Sequence, residues 1–189
     1  HLQYADPLVK VTIVPRGQAL GAAWYLPEER QLTSEQHILD KICSLLGGRA
    51  AEEIFFGILD TGALSDLEQA TRRAYAMVTY FGMSDKLKNL SYYDSTGQSE
   101  FGFTKPYSEA TAQLIDREVQ RIIDEQYERA KQILLQYKEG HNEVAQILID
   151  KEVLFAEDLE QVFGKRQWAS RAEEILGNDN WYWVFGDLV

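Results

Sequence analysis

Ser108-Glu-Ala-Thr-Ala112-Gln-Leu-Ile115-Asp-Arg-Glu-Val119-Gln-Arg-Ile-Ile123-Asp-Glu-Gln-Tyr127-Glu-Arg-Ala130-Lys-Gln-Ile-Leu134-Leu-Gln-Tyr137 decides the fold class. Ala112, Ile115, Val119, Ile123, Tyr127, Ala130, Leu134 and Tyr137 recur in steps of three and four, the spacing of one apolar stripe on a helix. Ser108 reads as its N-cap and Gly140 as its stop. A helix of this length with one apolar face needs other helices to cover it.

The sequence supplies them on both sides. Thr33-Ser-Glu-Gln36 matches a capping box, followed by Ile38, Ile42, Leu45 and Leu46 at helical spacing. Gly47-Gly48 either breaks that helix or allows a close approach, and we expect a helix, from this chain or from sequence beyond it, to cross there at short range. Ala50–Phe56 resumes the pattern and Gly57 ends it. Ser65-Asp-Leu-Glu68 matches a second capping box, opening a helix that runs to about Tyr80, before Gly82. Shorter helices are predicted near Asn142–Asp150 and Ala156–Phe163. The stretch Lys88–Lys105 shows little periodicity and reads as a loop.

Before the helices lies a β-hairpin. Val9, Val11 and Ile13 alternate with Lys10 and Thr12 as in a half-buried strand, and Pro15-Arg-Gly17 is a turn signal. Leu20–Leu26 returns as the second strand and Pro27 ends it. An isolated hairpin is marginal in water, so this one must lie on helices or join another sheet. The reading is mainly α: a helical bundle with a small N-terminal β-hairpin.

Bulk properties exclude several function classes. The 189 residues carry 30 Asp and Glu against 19 Lys and Arg, a formal net charge of −11. That balance argues against gripping a nucleic-acid backbone, and against docking on an anionic membrane through basic residues. Cys43 is the single cysteine, so it forms neither an intrachain disulfide nor a multi-cysteine metal site. It fits a reducing compartment. No run approaches the roughly 20 apolar residues of a membrane span. The longest, Ala19–Leu26, is interrupted by Gly21. No signal peptide is visible. The opening at His1 rather than Met leads us to expect the later part of a longer protein.

Five blocks carry a resemblance, in order along the chain. They are Tyr4-Ala-Asp-Pro7 through Pro15-Arg-Gly17 with Leu20-Gly21-Ala-Ala-Trp24-Tyr-Leu-Pro27, then Leu46-Gly47-Gly48-Arg49-Ala-Ala-Glu52-Glu53-Ile-Phe-Phe-Gly57. Thr61-Gly-Ala-Leu-Ser-Asp66-Leu-Glu-Gln-Ala-Thr71 follows, then Tyr80-Phe81-Gly82-Met83-Ser84 and Phe103-Thr-Lys-Pro106-Tyr-Ser108-Glu-Ala-Thr111. Together they resemble the peptidase domain of the FtsH family of membrane-anchored AAA+ zinc proteases. The resemblance fades after Gly164, which suggests a peptidase domain over 1–164 and a tail of unknown role over 165–189. Its aromatic end, Trp181-Tyr-Trp-Val-Phe185, has no counterpart in the family.

What the resemblance implies is a zinc endopeptidase fuelled by ATP, degrading unfolded or unassembled proteins within a hexameric ring. Asp66 is then the third zinc ligand. The two histidine ligands and the general-base glutamate belong to a His-Glu-x-x-His helix, absent here and expected upstream of His1. The chain thus holds no catalytic residue of its own, and alone it is expected to be inactive and to hold no ordered zinc. Glu52 would hydrogen-bond the other ring nitrogen of a ligating histidine. Leu20, Gly21 and Ala22 would pair with an extended substrate by strand addition. One zinc per subunit is implied, with ATP and magnesium confined to an AAA+ module, since no phosphate-binding Gly-Lys-Ser/Thr loop occurs here. The membrane is reached through an N-terminal anchor only. The implied setting is the bacterial inner membrane, with this domain in the cytoplasm.

Read from the residues alone, each assignment has a plainer alternative. Asp66 is an acid in a first helical turn, where the dipole favours it, and capping outweighs metal binding. Glu52 and Glu53 are equally well a solvated face, and Leu20–Ala22 a strand packing only on its own domain. For the whole chain, the alternative is a non-catalytic helical scaffold that serves ring assembly.

Overall fold

The structure, a computed structural model, describes residues 1–15, 17, 20–27, 32–92 and 106–168. Along them run β1 (Leu8–Thr12), β2 (Ala22–Tyr25), α1 (Glu35–Phe56), α2 (Leu64–Thr79), α3 (Glu109–Gln136), α4 (Lys138–Lys151), β3 (Val153–Phe155) and α5 (Ala156–Phe163). The class is mainly α, as the periodicity implies. Two compact units share the chain. One takes Leu2–Ala5 and Gln31–Lys138, the other His1, Asp6–Arg30 and Glu139–Val189. The aromatic end of the tail and most of the 88–105 stretch lie outside the described residues.

The first unit is a bundle of α1, α2 and α3. Ile38, Ile42 and Leu46 of α1 meet Ala70, Ala74, Met77 and Val78 of α2 and Ile115 and Ile122 of α3 in one core. Ser108 caps α3 as expected, its Oγ accepting from the Thr111 amide at 3.2 Å. The buried line of α3 is displaced from the apolar stripe. It runs through Ala112, Ile115, Glu118, Ile122, Gln126 and Ala130, while Val119, Ile123, Tyr127 and Leu134 are only partly buried. Two polar residues can lie inside because both are satisfied. Glu118 accepts from Ser84 Oγ at 2.7 Å and pairs with Arg121 at 3.1 Å, and Gln126 accepts from Arg129 at 3.2 Å.

Both expected capping boxes are corrected. In α1 the cap is Ser34, not Thr33, and it accepts from the His37 amide at 3.3 Å. With Ser34 as the cap, His37 takes the third helical position, so Gln36 is not placed to close a box, and its side-chain amide donates to Asp40 at 2.8 Å. In α2 the N-cap is Ala63 with no side-chain bond. Burial of Ala63 and a turn from Thr61 O to Leu64 N, at 3.3 Å, start that helix before Ser65. Asp66 therefore stands at the third helical position.

The glycines also part company with expectation. α1 runs unbroken through Gly47 and Gly48, and a Cβ built at either meets nothing within 4 Å among the described residues. No helix among the described residues makes the close crossing expected there. Gly57 ends α1 with φ +66° and its N–H on Glu53 O at 3.1 Å. The indispensable glycine is Gly82. Its φ is +60°, and a Cβ would come within 2.9 Å of backbone atoms of Asn89 and Leu90.

In the second unit the hairpin is completed by a distant strand. β1 lies between β2 and β3, antiparallel to both, in the order β2-β1-β3. The alternation reads differently from its prediction: Val9 and Ile13 are exposed and Thr12 is buried. A register irregularity between Leu8 and Lys10 breaks the period of two. Thr12 Oγ1 then donates to Glu152 O at 2.8 Å, and Leu154, opposite Val11, is fully buried. Gly140 does not stop a helix but lies inside α4, where a Cβ would come 2.3 Å from the Phe163 ring of α5. The small residue lets the two helices touch.

Two outcomes test this packing. Gly48→Ala should raise stability by about 0.8–1 kcal/mol, the ordinary helix-propensity gain, because nothing opposes the new methyl. Gly82→Ala should lower it by more than about 1 kcal/mol through its positive φ and its backbone contacts. Thermal unfolding followed by circular dichroism reads both signs.

Glu118 makes a pH prediction. Burial would raise its pKa, but hydrogen bonds from Arg121 and Ser84 and the Arg121 charge outweigh that and hold it below the usual range. A carboxylate lowered in the fold stabilises above its unfolded pKa of about 4.3, and that contribution disappears as pH falls through the folded value. Glu118→Gln should therefore flatten the loss of stability below about pH 4.3 in acid titrations. An unchanged acid limb would exclude this role.

Candidate metal and substrate site

The segment leading to Asp66 is built on α1. Arg49 Nη1 donates to the Asp60 carbonyl at 2.6 Å, which ties the 57–63 loop to the helix before it. Within the loop, Gly62 N–H donates to Asp60 Oδ1 at 2.6 Å, an aspartate turn that brings the chain round. The Leu67 amide then bonds Ala63 O at 2.9 Å as α2 begins. Asp66 is thus held by a short, internally bonded loop and a helix start. Its carboxylate is partly buried and has no hydrogen-bond or ion-pair partner among the described residues.

Glu52 and Glu53 are adjacent but differently placed. Glu53 accepts from Tyr127 Oη and from Lys131 Nζ, the latter at 3.0 Å, and joins α1 to α3. The Tyr127 hydrogen bond is the largest influence holding its carboxyl below the usual range. Burial, with the Glu53 hydrogen bond, pushes Tyr127 up to about 12. Glu52 has a looser partner: Arg49 Nη1 lies 3.7 Å from its Oε2 as an ion pair while donating to Asp60, so the buried Oε2 accepts no hydrogen bond. A buried carboxylate oxygen without a donor is costly. It suits a position where an N–H arrives from outside the described residues.

Leu20, Gly21 and Ala22 fall in the other unit, at the start of β2. Leu20 is 85% exposed. Gly21 is needed where it stands, since a Cβ would meet Thr12 O at 2.6 Å. β2 is an edge strand, bonded to β1 on one side only among the described residues. Its outer side is therefore a row of backbone donors and acceptors.

The three histidines are dispersed. His37 stacks on Tyr4 with ring centroids 5.4 Å apart, His1 stands edge-on to Phe163 at 5.0 Å, and burial lowers the pKa of His141. Among the described residues no group of three or more His, Cys, Asp or Glu is arranged to hold a metal ion. One aspartate is not a zinc site, which takes three protein ligands and an open position. Asp66 does fit as one donor of such a set, being anionic and unpartnered, with the Glu52 oxygen as the kind of acceptor that a ligating imidazole requires.

Sequence reading missed the residues that support this site. Asp40, Arg129, Glu53 and Tyr127 tie α1 to α3, yet each reads as an ordinary member of a mixed helix face. The available signal was a mismatch: Glu118 and Gln126 each stand one place before a stripe residue, so a small rotation of the helix buries them. No helix among the described residues is long and apolar enough to cross a membrane.

Comparison with known proteins identifies the family. The chain is 66% identical over 175 residues to a Parabacteroides distasonis protein described as ATP-dependent zinc metalloprotease FtsH, covering 93% of this chain and 25% of that protein. A Rhodothermus marinus protein of the same description is 50% identical over 170 residues, covering 88% and 24%. The mouse mitochondrial inner membrane m-AAA protease component AFG3L2 is 44% identical over 172 residues, covering 91% and 21%. The chain thus spans about a quarter of the length of these relatives. The profile of peptidase family M41 matches residues 1–162, so the chain belongs to peptidase family M41.

Proposed function

We propose that this chain is the proteolytic part of an ATP-dependent, membrane-anchored zinc metalloprotease that degrades unfolded or unassembled proteins. The observation that carries this reading is the Asp66 carboxylate, unpartnered on a helix start that Arg49 and the 57–63 loop hold in place. Zinc, when bound, acidifies its water and polarises the scissile carbonyl. Asp66 contributes a hard anionic oxygen to that metal. Its place in the first turn of α2 already favours negative charge. Glu52 orients a ligating histidine by accepting its second N–H. The outer edge of β2, around Leu20, Gly21 and Ala22, pairs with the backbone of an extended substrate. A scaffold without catalysis leaves the buried Glu52 oxygen without an account.

The remaining assignments rest on the relatives. Residues 1–164 form the peptidase domain and 165–189 a separate tail. The general base and two histidine ligands come from sequence outside the described residues. ATP and magnesium act in another module, subunits assemble as a hexameric ring, and the domain faces the cytoplasm from a bacterial inner membrane. The mitochondrial inner membrane relative supports a membrane setting.

Asp66→Asn in the full-length protein tests the reading, because it keeps size and capping capacity and removes the charge. Casein degradation and bound zinc should fall together while ATP hydrolysis persists. Glu52→Gln should reduce metal affinity by about 10–100-fold. Full proteolysis by Asp66→Asn would make Asp66 a helix cap and nothing more.

A further inference from the structure

Away from Asp66, the N-terminal half of α1 and the C-terminal half of α2 enclose an open pocket of about 520 Å³. Its lining pairs cations with aromatics: Lys41, Arg72 and Arg73 with Tyr75, Tyr80 and Phe81. Three cations around one pocket are conspicuous in a chain of net charge −11. Arg73 is the informative member. Its Nε is buried without a hydrogen bond, and no carboxylate among the described residues pairs with its guanidinium. By contrast, Arg72 of the same pocket pairs with Glu68, and Arg49, Arg121, Arg129 and Lys131 each pair with an acid of the chain.

The aromatic wall is ordered and partly exposed. Tyr75 and Tyr80 stand edge to face at 6.2 Å, and Tyr80 and Phe81 at 6.5 Å. Phe81 is 57% and Tyr80 40% exposed, so the wall continues onto the surface. Arginine beside tyrosine and phenylalanine is the composition of protein-interface centres, where a few buried anchors supply most of the affinity. A guanidinium without an acid takes a carboxylate in a two-pronged bond, and the rings take a flat apolar side chain beside it.

We propose that this pocket is a docking site for an acidic–aromatic peptide segment of a partner polypeptide. A carboxylate side chain meets Arg73. A neighbouring aromatic side chain lies on Tyr80 and Phe81. The site is separate from the proposed metal site and would serve recognition whether or not the chain is proteolytic.

Fluorescence anisotropy of a labelled Gly-Asp-Trp-Glu-Phe-Gly peptide against the 189-residue chain tests it. Saturable binding is expected, weakened about 10–100-fold by Arg73→Gln and by the Gly-Asn-Trp-Gln-Phe-Gly peptide, as for a lost charged hydrogen bond. Phe81→Ser, at an exposed position that leaves the core intact, should weaken it as well, and unchanged circular dichroism will show that both variants fold. Equal binding of the uncharged peptide, or no effect of Arg73→Gln, would overturn the proposal. So would sedimentation showing that Arg73 instead mediates pairing of two copies of this chain. No arm reads proteolysis, so its outcome is independent of the Asp66 experiment.

Discussion

A carboxylate with no exposure at all must have its oxygens filled from within, and Asp40 of α1 meets that condition. Oδ1 accepts from Arg129 of α3 at 2.7 Å and from Gln36 at 2.8 Å, while Oδ2 accepts from the Tyr4 amide at 3.0 Å. The Arg129 side chain is 35% exposed, so water makes up part of what it supplies, but a buried Asp40 oxygen left without a donor is strongly disfavoured. The separation of α1 and α3, and the path of residues 2–5 over them, follow from satisfying this one group. Leu2 packs on Cys43, Ala50 and Ala130 in the same region. Burial there pushes the Cys43 thiol up to about 11, so it behaves as an apolar filler.

With α1 fixed, its far end becomes a platform. Glu53 reaches Tyr127 and Lys131, and Arg49 reaches the carbonyl of Asp60. The second of these bonds turns the geometry of a long helix into the position of Asp66, because only a few residues separate the Asp60 carbonyl from the first turn of α2. A carboxylate placed this way needs no hydrogen bond of its own to be held. Its oxygens have no partner among the described residues, as the proposed metal role requires.

Helices with long apolar stripes are legible in the sequence, and α3 and α5 begin where their patterns say. Errors arise where two local rules compete. Thr33 and Ser34 both suit a cap, and Ser34 takes it by accepting from the His37 amide. Gly140 has the chemistry of a helix stop, but contact with Phe163 uses it as a small residue instead. Gly47 and Gly48 look like a packing notch and face open space. β3 is illegible for another reason: three residues carry no period, and only pairing with β1 makes Val153–Phe155 a strand. In the candidate site, Asp66 is named by resemblance to a family. The residues that hold it there, Arg49 and Asp60, are visible only after folding, since neither residue type announces the bond between them.

Zinc-edge anomalous diffraction from crystals of the full-length protein addresses the central claim most directly, since it locates the metal without reference to activity. The account predicts one anomalous peak per subunit with an Asp66 carboxylate oxygen about 2.0–2.2 Å away, the usual zinc–carboxylate distance. A fully occupied zinc whose ligand set is complete without Asp66 would contradict it.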